Sequence, residues 1–242
     1  MKIAGIILAA GFSRRMGKNK YHLLLGGREL YQYGADLLER LPLAKRLIVT
    51  NDAEIARYCI GKGIHPVSNG NAAEGKASSI RAGVDAAGQV DGYFFMTADQ
   101  PLVSAVSCQK ILEAQEAEPE KIIQPVYGGK QGMPVCIPAV YAAALQQLKG
   151  EAGGKKLMTG ENTRQVILAD AKEHQDLDTW EDYERLEQWI RETVLLPPHW
   201  AANRVPKPSV PNCGPASPPM AQMTASARSV SAEPPAVSNC TA

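Results

Sequence analysis

Short apolar runs alternate with segments of helical periodicity through roughly the first 190 residues of the chain. The three strongest runs are KIAGIILA, RLIVT and GYFFMTA, at residues 2–9, 46–50 and 92–98. Because their apolar residues are nearly continuous, each is typical of a strand buried on both faces. Shorter strand-like runs occupy residues 64–67, 121–127, 133–138 and 165–170. Apolar residues recur at helical spacing in five segments, at residues 28–41, 53–63, 78–87, 104–117 and 179–194.

This alternation predicts an α/β fold, with a mostly parallel sheet and helices on both of its faces. Right-handed crossovers would connect the parallel strands. Ligands of such sheets bind beyond the carboxyl ends of the strands. The loops that follow the predicted strands are therefore where functional residues are expected.

The composition changes at Pro197. From there to the end, the chain holds ten of its 17 prolines and almost no periodic apolar pattern. Such a segment cannot bury enough apolar surface to offset the entropy lost on ordering. We therefore predict a folded domain at residues 1–195 and a disordered, proline-rich tail at residues 196–242. The tail is either a tether or the product of an altered or truncated reading frame.

A near-neutral charge and an ordinary apolar content restrict the classes of function. The 242 residues carry a net charge of +1 and are 45% apolar. Nucleic acid is not an expected partner, because nucleic-acid-binding domains usually have a strong basic excess. The N-terminal apolar run is too short to span a membrane and lacks a signal-peptide pattern. The five cysteines are scattered and without metal spacing, which favours free thiols in a reducing cytoplasm.

The segment LAAGFSRRMGKNK, at residues 8–20, joins the first predicted strand to a cluster of cations. Gly11 permits a sharp turn that exposes backbone N–H groups. Four cations follow it: Arg14, Arg15, Lys18 and Lys20. Amides and cations together form a cradle for a polyphosphate, although a tight turn with solvated cations is the alternative. The Walker A pattern and the dinucleotide fingerprint GxGxxG are both absent.

The same segment resembles the signature LAAGxSxRMGxxK of the MobA/MocA-like nucleotidyltransferases. The matching residues are Leu8, Ala9, Ala10, Gly11, Ser13, Arg15, Met16, Gly17 and Lys20. Three more segments are similar to motifs of that family: NGNAAEGKASSI at 69–80, TADQP at 97–101 and DLDTWEDY at 176–183. The resemblance covers most of residues 1–190 and implies a Rossmann-like, three-layer nucleotidyltransferase fold.

Within this family, the sequence is most similar to the molybdenum cofactor cytidylyltransferases. The resemblance implies that the chain moves CMP from CTP to the phosphate of the molybdopterin cofactor, with Mg²⁺, and releases pyrophosphate. It also implies contact with a molybdenum hydroxylase apoprotein or its chaperone. The guanylyl branch usually has LAGG where this chain has LAAG. The methyl group of Ala10 would narrow the space beside the base, which suits a pyrimidine.

Asp99 and Asp178 are the predicted metal ligands. Asp99 follows the strand-like run GYFFMTA at its carboxyl end, and Mg²⁺ prefers carboxylates together with phosphate oxygens. Asp99 could instead cap the next helix, although that cap position falls nearer Val103 or Ser104. The alternative for Asp178 is stronger, since DLDTWEDY also predicts a helix N-cap at Asp178 or Thr179.

The other predicted site residues would contact the nucleotide. Arg15 and Lys20 would hold the triphosphate and the leaving pyrophosphate, and together with Asp99 they form the predicted catalytic set. The predicted nucleotide-binding residues are Leu8, Ala9, Ala10, Gly11, Lys20, Asn51, Asn69 and Ser79. Asn51 and Asn69 are equally typical of turns. For Ser78 and Ser79, capping of the following helix is favoured over nucleotide contact.

Two segments depart from the family pattern on the acceptor side and keep other functions open. The family often has RGHP where this chain has QGMP at 131–134, and GDxGAR where it has GEAGGK at 150–155. The alternatives are guanylyl transfer, transfer to a sugar or polyol phosphate, and a nucleotide- or cofactor-binding protein without catalysis. A dehydrogenase is disfavoured by the missing GxGxxG. The four dispersed histidines offer no hydrolase triad.

Overall fold

The computed structural model describes residues 1–11 and 19–193. Arg15 and the predicted tail at 196–242 lie outside the described residues. The strands are β1 (Ile3–Leu8), β2 (Leu24–Leu25), β3 (Arg28–Glu29), β4 (Lys45–Val49), β5 (His65–Val67), β6 (Gly92–Thr97), β7 (Ile122–Tyr127), β8 (Lys130–Gln131), β9 (Val135–Pro138) and β10 (Thr163–Leu168). The α-helices are α1 (Leu30–Arg40), α2 (Ala53–Gly61), α3 (Lys76–Ala87), α4 (Ala105–Ala117), α5 (Ala142–Gln146) and α6 (Trp180–Thr193).

One mostly parallel sheet organises the described residues and confirms the predicted α/β class. Its strand order is β10-β7-β9-β6-β1-β4-β5, with β8 beside β7. β1 runs parallel to both β4 and β6, and the pairs β4–β5 and β7–β10 are also parallel. β9 is antiparallel to both of its neighbours, β6 and β7. The loops after β1 and β6 therefore emerge side by side at one edge of the sheet.

The central strand β1 is buried on both faces, as its continuous apolar pattern predicts. Alternate side chains point to opposite faces of a strand. Ile3 and Ile7 belong to a core cluster that includes residues of α1, α2 and α4. Ile6 and Leu8 belong to a second cluster, with residues of α3 and α5. The sheet thus forms the middle layer between two layers of helices.

A short hairpin precedes the first long helix and was not predicted. The predicted helix at 28–41 begins instead at Leu30, because residues 28–29 pair with residues 24–25 as an antiparallel ladder. Gly26 and Gly27 form the turn with φ of 58° and 79°. Two consecutive positive φ angles are typical of the tight turns that join hairpin strands.

Helix α6 packs on this hairpin through a third apolar cluster. Leu177, Tyr183 and Leu186 are buried there against Leu23 and Leu25. The Tyr183 hydroxyl donates a hydrogen bond to the backbone carbonyl of residue 24, at 2.8 Å. This packing brings the segment before α6 to the edge of the sheet, beside the loop after β6. No helix in the described ranges has the length and apolar character needed to cross a bilayer.

Gly75, directly before α3, is expected to tolerate no side chain. Its φ is 98°, and a Cβ atom there would lie 2.7 Å from the carbonyl carbon and oxygen of Gly150. We predict that Gly75→Ala lowers the free energy of unfolding by about 2 kcal/mol or more, measured by denaturant titration. Gly70→Ala is the matched control, since a Cβ there meets no atom within 4 Å. Equal stabilities of the two variants would contradict this account of the turn.

Candidate active site

The loops after β1 and β6 border a cavity of about 380 Å³ at the carboxyl edge of the sheet. Leu8 pairs with Thr97 in the parallel register, so the residues that follow each strand lie next to one another. The wall includes Leu8, Ala10, Gly11, Lys20, Asp99 and Asp178. Parallel topology alone thus brings the glycine-containing loop and the predicted metal ligand to the same cavity.

Lys20 is the centre of the charged cluster in this cavity. It opens a 3₁₀ helix over Lys20–His22, which Asn19 caps by accepting a hydrogen bond from the Tyr21 N–H. The Lys20 Nζ lies 2.6 Å from Asp99 Oδ2 and 2.7 Å from Asp178 Oδ1. Burial alone would lower the pKa of this ammonium, but the charge of Asp99 and the two hydrogen bonds raise it. Lys20 is therefore a fixed cation.

Residues other than the two aspartates provide capping contacts for the helices that follow them. Ser104 caps α4, since its Oγ accepts a hydrogen bond from the Ser107 N–H at 3.1 Å. Ahead of α6, the Thr179 hydroxyl accepts from the Asp182 N–H at 3.2 Å and donates to the Asp182 carboxylate at 2.7 Å. The capping of both helices is thus provided by other residues, which leaves Asp99 and Asp178 at the cavity wall.

A backbone hydrogen bond connects the segment that carries Asp99 with the segment that carries Asp178. The Leu177 N–H donates to the backbone carbonyl of Asp99 at 3.0 Å, and the Leu177 side chain is fully buried. The residues on either side of Leu177 line different spaces: Asp178 borders the first cavity and Asp176 borders a second one. The packing of Leu177 therefore helps to position Asp176 and Asp178, its two neighbours in the chain.

The donor set at Asp99 fits a divalent cation. Asp99 Oδ1 is buried, and within residues 1–11 and 19–193 it has no hydrogen-bond partner. An unpartnered buried carboxylate oxygen is costly unless a further group binds it. The Asp178 carboxylate, 47% exposed, is close enough to share Lys20 with Asp99. Two carboxylates of this kind, together with nucleotide phosphates, form the oxygen ligand set that Mg²⁺ prefers.

The predicted nucleotide-binding residues fall into two groups. Leu8, Ala10, Gly11 and Ser79 border the first cavity together with Lys20. The other three do not border it: Ala9, Asn51 and Asn69. Ala9 is buried in the core, and its N–H donates to the carbonyl of Val49 at 2.9 Å.

Asn69 is linked to the cavity wall indirectly, by a hydrogen bond to Ser79. Its Nδ2 donates to Ser78 Oγ at 2.8 Å and to Ser79 Oγ at 3.0 Å. Asn51 holds Asn69 in turn, by donating to its carbonyl and accepting from its N–H, both at 2.8 Å. Ser78 and Ser79 do not cap α3, whose N-cap is Gly75; this expectation was wrong, because the helix begins two residues earlier than predicted. Ser79 is oriented towards the cavity by the asparagine pair.

A family model for the MobA-like NTP transferase domain matches residues 5–168 of the chain. The matched range contains the loop after β1, Lys20 and Asp99. The chain belongs to the MobA-like NTP transferase family. The predicted family is confirmed, and with it a nucleotidyltransferase activity.

Two curated relatives of this MobA-like chain align with most of its length. Molybdenum cofactor guanylyltransferase from Rhodobacter capsulatus is 25% identical over 199 residues, which cover 80% of this chain and 100% of the relative. Purine catabolism protein PucB from Bacillus subtilis (strain 168) is 27% identical over 196 residues, which cover 75% and 94%. The crystal structure of Rv0371c from Mycobacterium tuberculosis H37Rv matches with a TM-score of 0.69 at 25% identity, covering 78% of this chain and 98% of that one. The predicted nucleotidyltransferase fold is thereby confirmed.

The second cavity of the MobA-like domain, about 220 Å³, is lined in part by the segments that depart from the family pattern. Met133, Gly153 and Lys155 come from those segments, and Phe95 and Ile137 add apolar wall. Three amide side chains also line it: Gln100, Gln124 and Gln131. The cavity therefore offers apolar surface together with groups that both donate and accept hydrogen bonds.

Asp176 connects the two cavities electrostatically. Its carboxyl lines the second cavity, and burial together with the nearby charges of Asp99 and Asp178 raises its pKa. A hydrogen bond from Gln100 and the proximity of His174 oppose this rise. Within DLDTWEDY, a metal role was predicted for Asp178 and no role for Asp176. Tyr21, which also borders the first cavity, was likewise not predicted, because nothing in its sequence context distinguishes it from a core tyrosine.

A histidine between two carboxylates anchors the turn that carries Lys20. His22 Nδ1 lies 2.9 Å from Glu29 Oε1, and His22 Nε2 lies 2.7 Å from Asp52 Oδ2. Both ring nitrogens can donate at once only when the imidazole is protonated. Burial alone would lower the pKa of His22, but the hydrogen bonds to Asp52 and Glu29 raise it above its ordinary value of 6.5.

This raised pKa predicts a pH-dependent stability. The charged form of His22 stabilises the fold at pH values below 6.5, and that contribution is lost as the pH rises through the higher folded-state pKa. We expect the difference in unfolding free energy between the wild type and His22→Gln to be largest near pH 6 and to shrink towards pH 9. Denaturant titrations across this range measure it, with the exposed His65→Gln as matched control. A difference independent of pH would contradict the paired imidazolium.

Proposed function

We propose that the chain transfers CMP from CTP to the phosphate of the molybdopterin cofactor, with Mg²⁺ as its metal ion. The cluster of Lys20, Asp99 and Asp178 at the wall of the first cavity is the observation that carries this proposal. Its support from relatives is the R. capsulatus protein, which is named for transfer of a nucleotide to the molybdenum cofactor. The product would pass to a molybdenum hydroxylase apoprotein or its chaperone, and we place the reaction in the cytoplasm.

The chemistry requires positioning and charge neutralisation rather than a protein nucleophile. An oxygen of the acceptor phosphate attacks the α-phosphorus of the nucleotide, and a new P–O bond forms. The bond from the α-phosphorus to the bridging oxygen breaks, and pyrophosphate leaves with its electron pair. No proton has to be removed from a phosphate dianion. The groups must be held in line while negative charge is neutralised.

The residues of the cluster have two roles in this proposal. Asp99 and Asp178 would hold Mg²⁺, which supplies Lewis-acid stabilisation of the phosphate oxygens. Lys20 would pair with the triphosphate beside these two carboxylates. The N–H groups after β1 would bind the nucleotide next to Ala10 and Gly11. Arg15 is proposed to assist at the phosphates.

Ala10 supports CTP over GTP as the nucleotide. It borders the first cavity, where its methyl group takes up space that a glycine would leave to the base. The guanylyltransferase name of the R. capsulatus relative is the specific observation that favours GTP instead. The relative is 25% identical to this chain, and we assign the choice of base to residues of the cavity wall, with position 10 among them.

The lining of the second cavity suits a flat heteroaromatic acceptor. Its apolar wall would contact the faces of a ring system, and its amide groups would pair with the polar ring edge. Both cavities open next to the Leu177 segment, so an acceptor phosphate could reach a nucleotide in the first cavity. The altered segments at 131–134 and 150–155 would then set the choice of acceptor rather than abolish transfer.

The proposal predicts pyrophosphate release that depends on the molybdopterin cofactor, CTP and Mg²⁺. Each of CTP, GTP, ATP and UTP is assayed with and without the cofactor, and with the metal ion removed by chelation. Asp99→Asn should lower kcat/KM by about a hundredfold or more, because it removes one charge from the ligand set. Asp91→Asn, at the opposite end of β6, is the matched control and should retain activity. Release without cofactor, or from the Asp99→Asn enzyme at the wild-type rate, would overturn the proposal.

The role of Ala10 is tested by Ala10→Gly. Removing one methyl group from the cavity wall should shift the ratio of kcat/KM for CTP over GTP towards GTP by about tenfold. The ratio is measured in a single competition assay, so that changes in overall activity cancel. An unchanged ratio would show that the base is selected elsewhere, and a wild-type preference for GTP would favour the guanylyl alternative.

A further inference from the structure

We propose that Lys76 binds the phosphate of the acceptor at the junction of the two cavities. Lys76 is the first residue of α3, and its side chain borders both the nucleotide cavity and the second cavity. The only other residue that the two walls share in the described structure is Leu8, which is apolar. This inference rests on the proposed function, because it takes the second cavity as the acceptor site.

The charges in the nucleotide cavity favour a further cation where the acceptor phosphate approaches. In the described part of the chain, its wall carries the lysines Lys20 and Lys76 against the carboxylates of Asp99, Glu151 and Asp178. Lys20 is held by two of these carboxylates, at 2.6 and 2.7 Å. A phosphate monoester adds close to two negative charges near pH 7 and must approach a triphosphate. One cation at the meeting point reduces the repulsion between the two reactants.

Lys76 is available for this role. The described residues give its ammonium neither a hydrogen bond nor an ion pair, and the residue is exposed. The acidic neighbour Glu74 is instead paired with Arg81, at 2.6 Å. A lysine that borders two cavities and has no partner among residues 1–11 and 19–193 can bind a phosphate without first breaking an ion pair with them.

The backbone at the N-terminus of α3 also favours the binding of a phosphate at Lys76. Gly75 and Lys76 both border the nucleotide cavity, so the N-terminus of the twelve-residue helix α3 lies at the cavity wall. The positive end of the helix dipole adds to the lysine charge at the place where an anion would bind. The Gly150 carbonyl holds the backbone next to Gly75, because it accepts a hydrogen bond from the Ala77 N–H at 3.0 Å. The segment at 150–155 therefore positions Lys76 as well as lining the second cavity.

Separate variation of the two substrates tests this inference. For Lys76→Gln, we expect the KM of the molybdopterin cofactor to rise about tenfold or more, while the KM of CTP changes less than about threefold. Lys76→Arg keeps the charge and should restore most of the acceptor affinity. Lys110→Gln, an exposed lysine of α4 that borders neither cavity, is the matched control. An equal rise of both KM values, or an unchanged acceptor KM, would overturn the assignment.

A binding measurement separates this result from a failure of the proposed function. A 6-hydroxymethylpterin phosphate ester serves as a stable probe, and its fluorescence reports binding in the presence of CTP. Weaker probe binding by Lys76→Gln, with unchanged CTP affinity, supports the inference independently of turnover. Wild-type protein that neither binds the probe nor turns over the cofactor would overturn the proposed acceptor, and the role of Lys76 with it. Wild-type binding that is insensitive to Lys76→Gln would overturn the role of Lys76 alone.

Discussion

The ion cluster of Lys20, Asp99 and Asp178 is the constraint on which the active-site arrangement depends. Its three members come from distant parts of the chain: Lys20 is 79 residues from Asp99 and 158 residues from Asp178. The lysine is buried, and a buried charge is tolerated only when it is well paired. Loss of one partner would leave uncompensated charge in the cavity. The cluster therefore holds together the turn that begins at Lys20, the turn after β6 and the segment before α6.

Two features of the fold bring these three segments together: the pairing of strands in the sheet and the packing of helix α6. Parallel pairing of β1 with β6 places the two loops side by side, and this follows from the sheet alone. The third segment is added by α6, whose apolar side packs on the β2–β3 hairpin. Leu177 then places Asp178 and Asp176 at neighbouring cavities. These two aspartates, which border the first and second cavities, are thus separated by the single residue Leu177.

The sequence predicted the parts that depend on local pattern. Continuous apolar runs predicted the buried strands, and the motif residues Lys20, Asp99 and Asp178 do lie together in the structure. Contacts between distant segments were not predictable. The Asn51–Asn69–Ser79 relay, the two partners of His22 and the position of Lys76 all require knowledge of how loops meet in space. The β2–β3 hairpin was missed because its strands have two residues each, too few to produce a period.

The central claim is that Asp99 and Asp178 form a divalent-cation site completed by the nucleotide. Its most direct test is a titration with Mn²⁺ followed by electron paramagnetic resonance. The free ion gives a strong signal that is lost on binding, so affinity can be measured with and without CTP. One ion is expected to bind per chain, with an affinity that rises when CTP is present and falls sharply in Asp99→Asn. Mn²⁺ binding that is unaffected by both CTP and the substitution would contradict it.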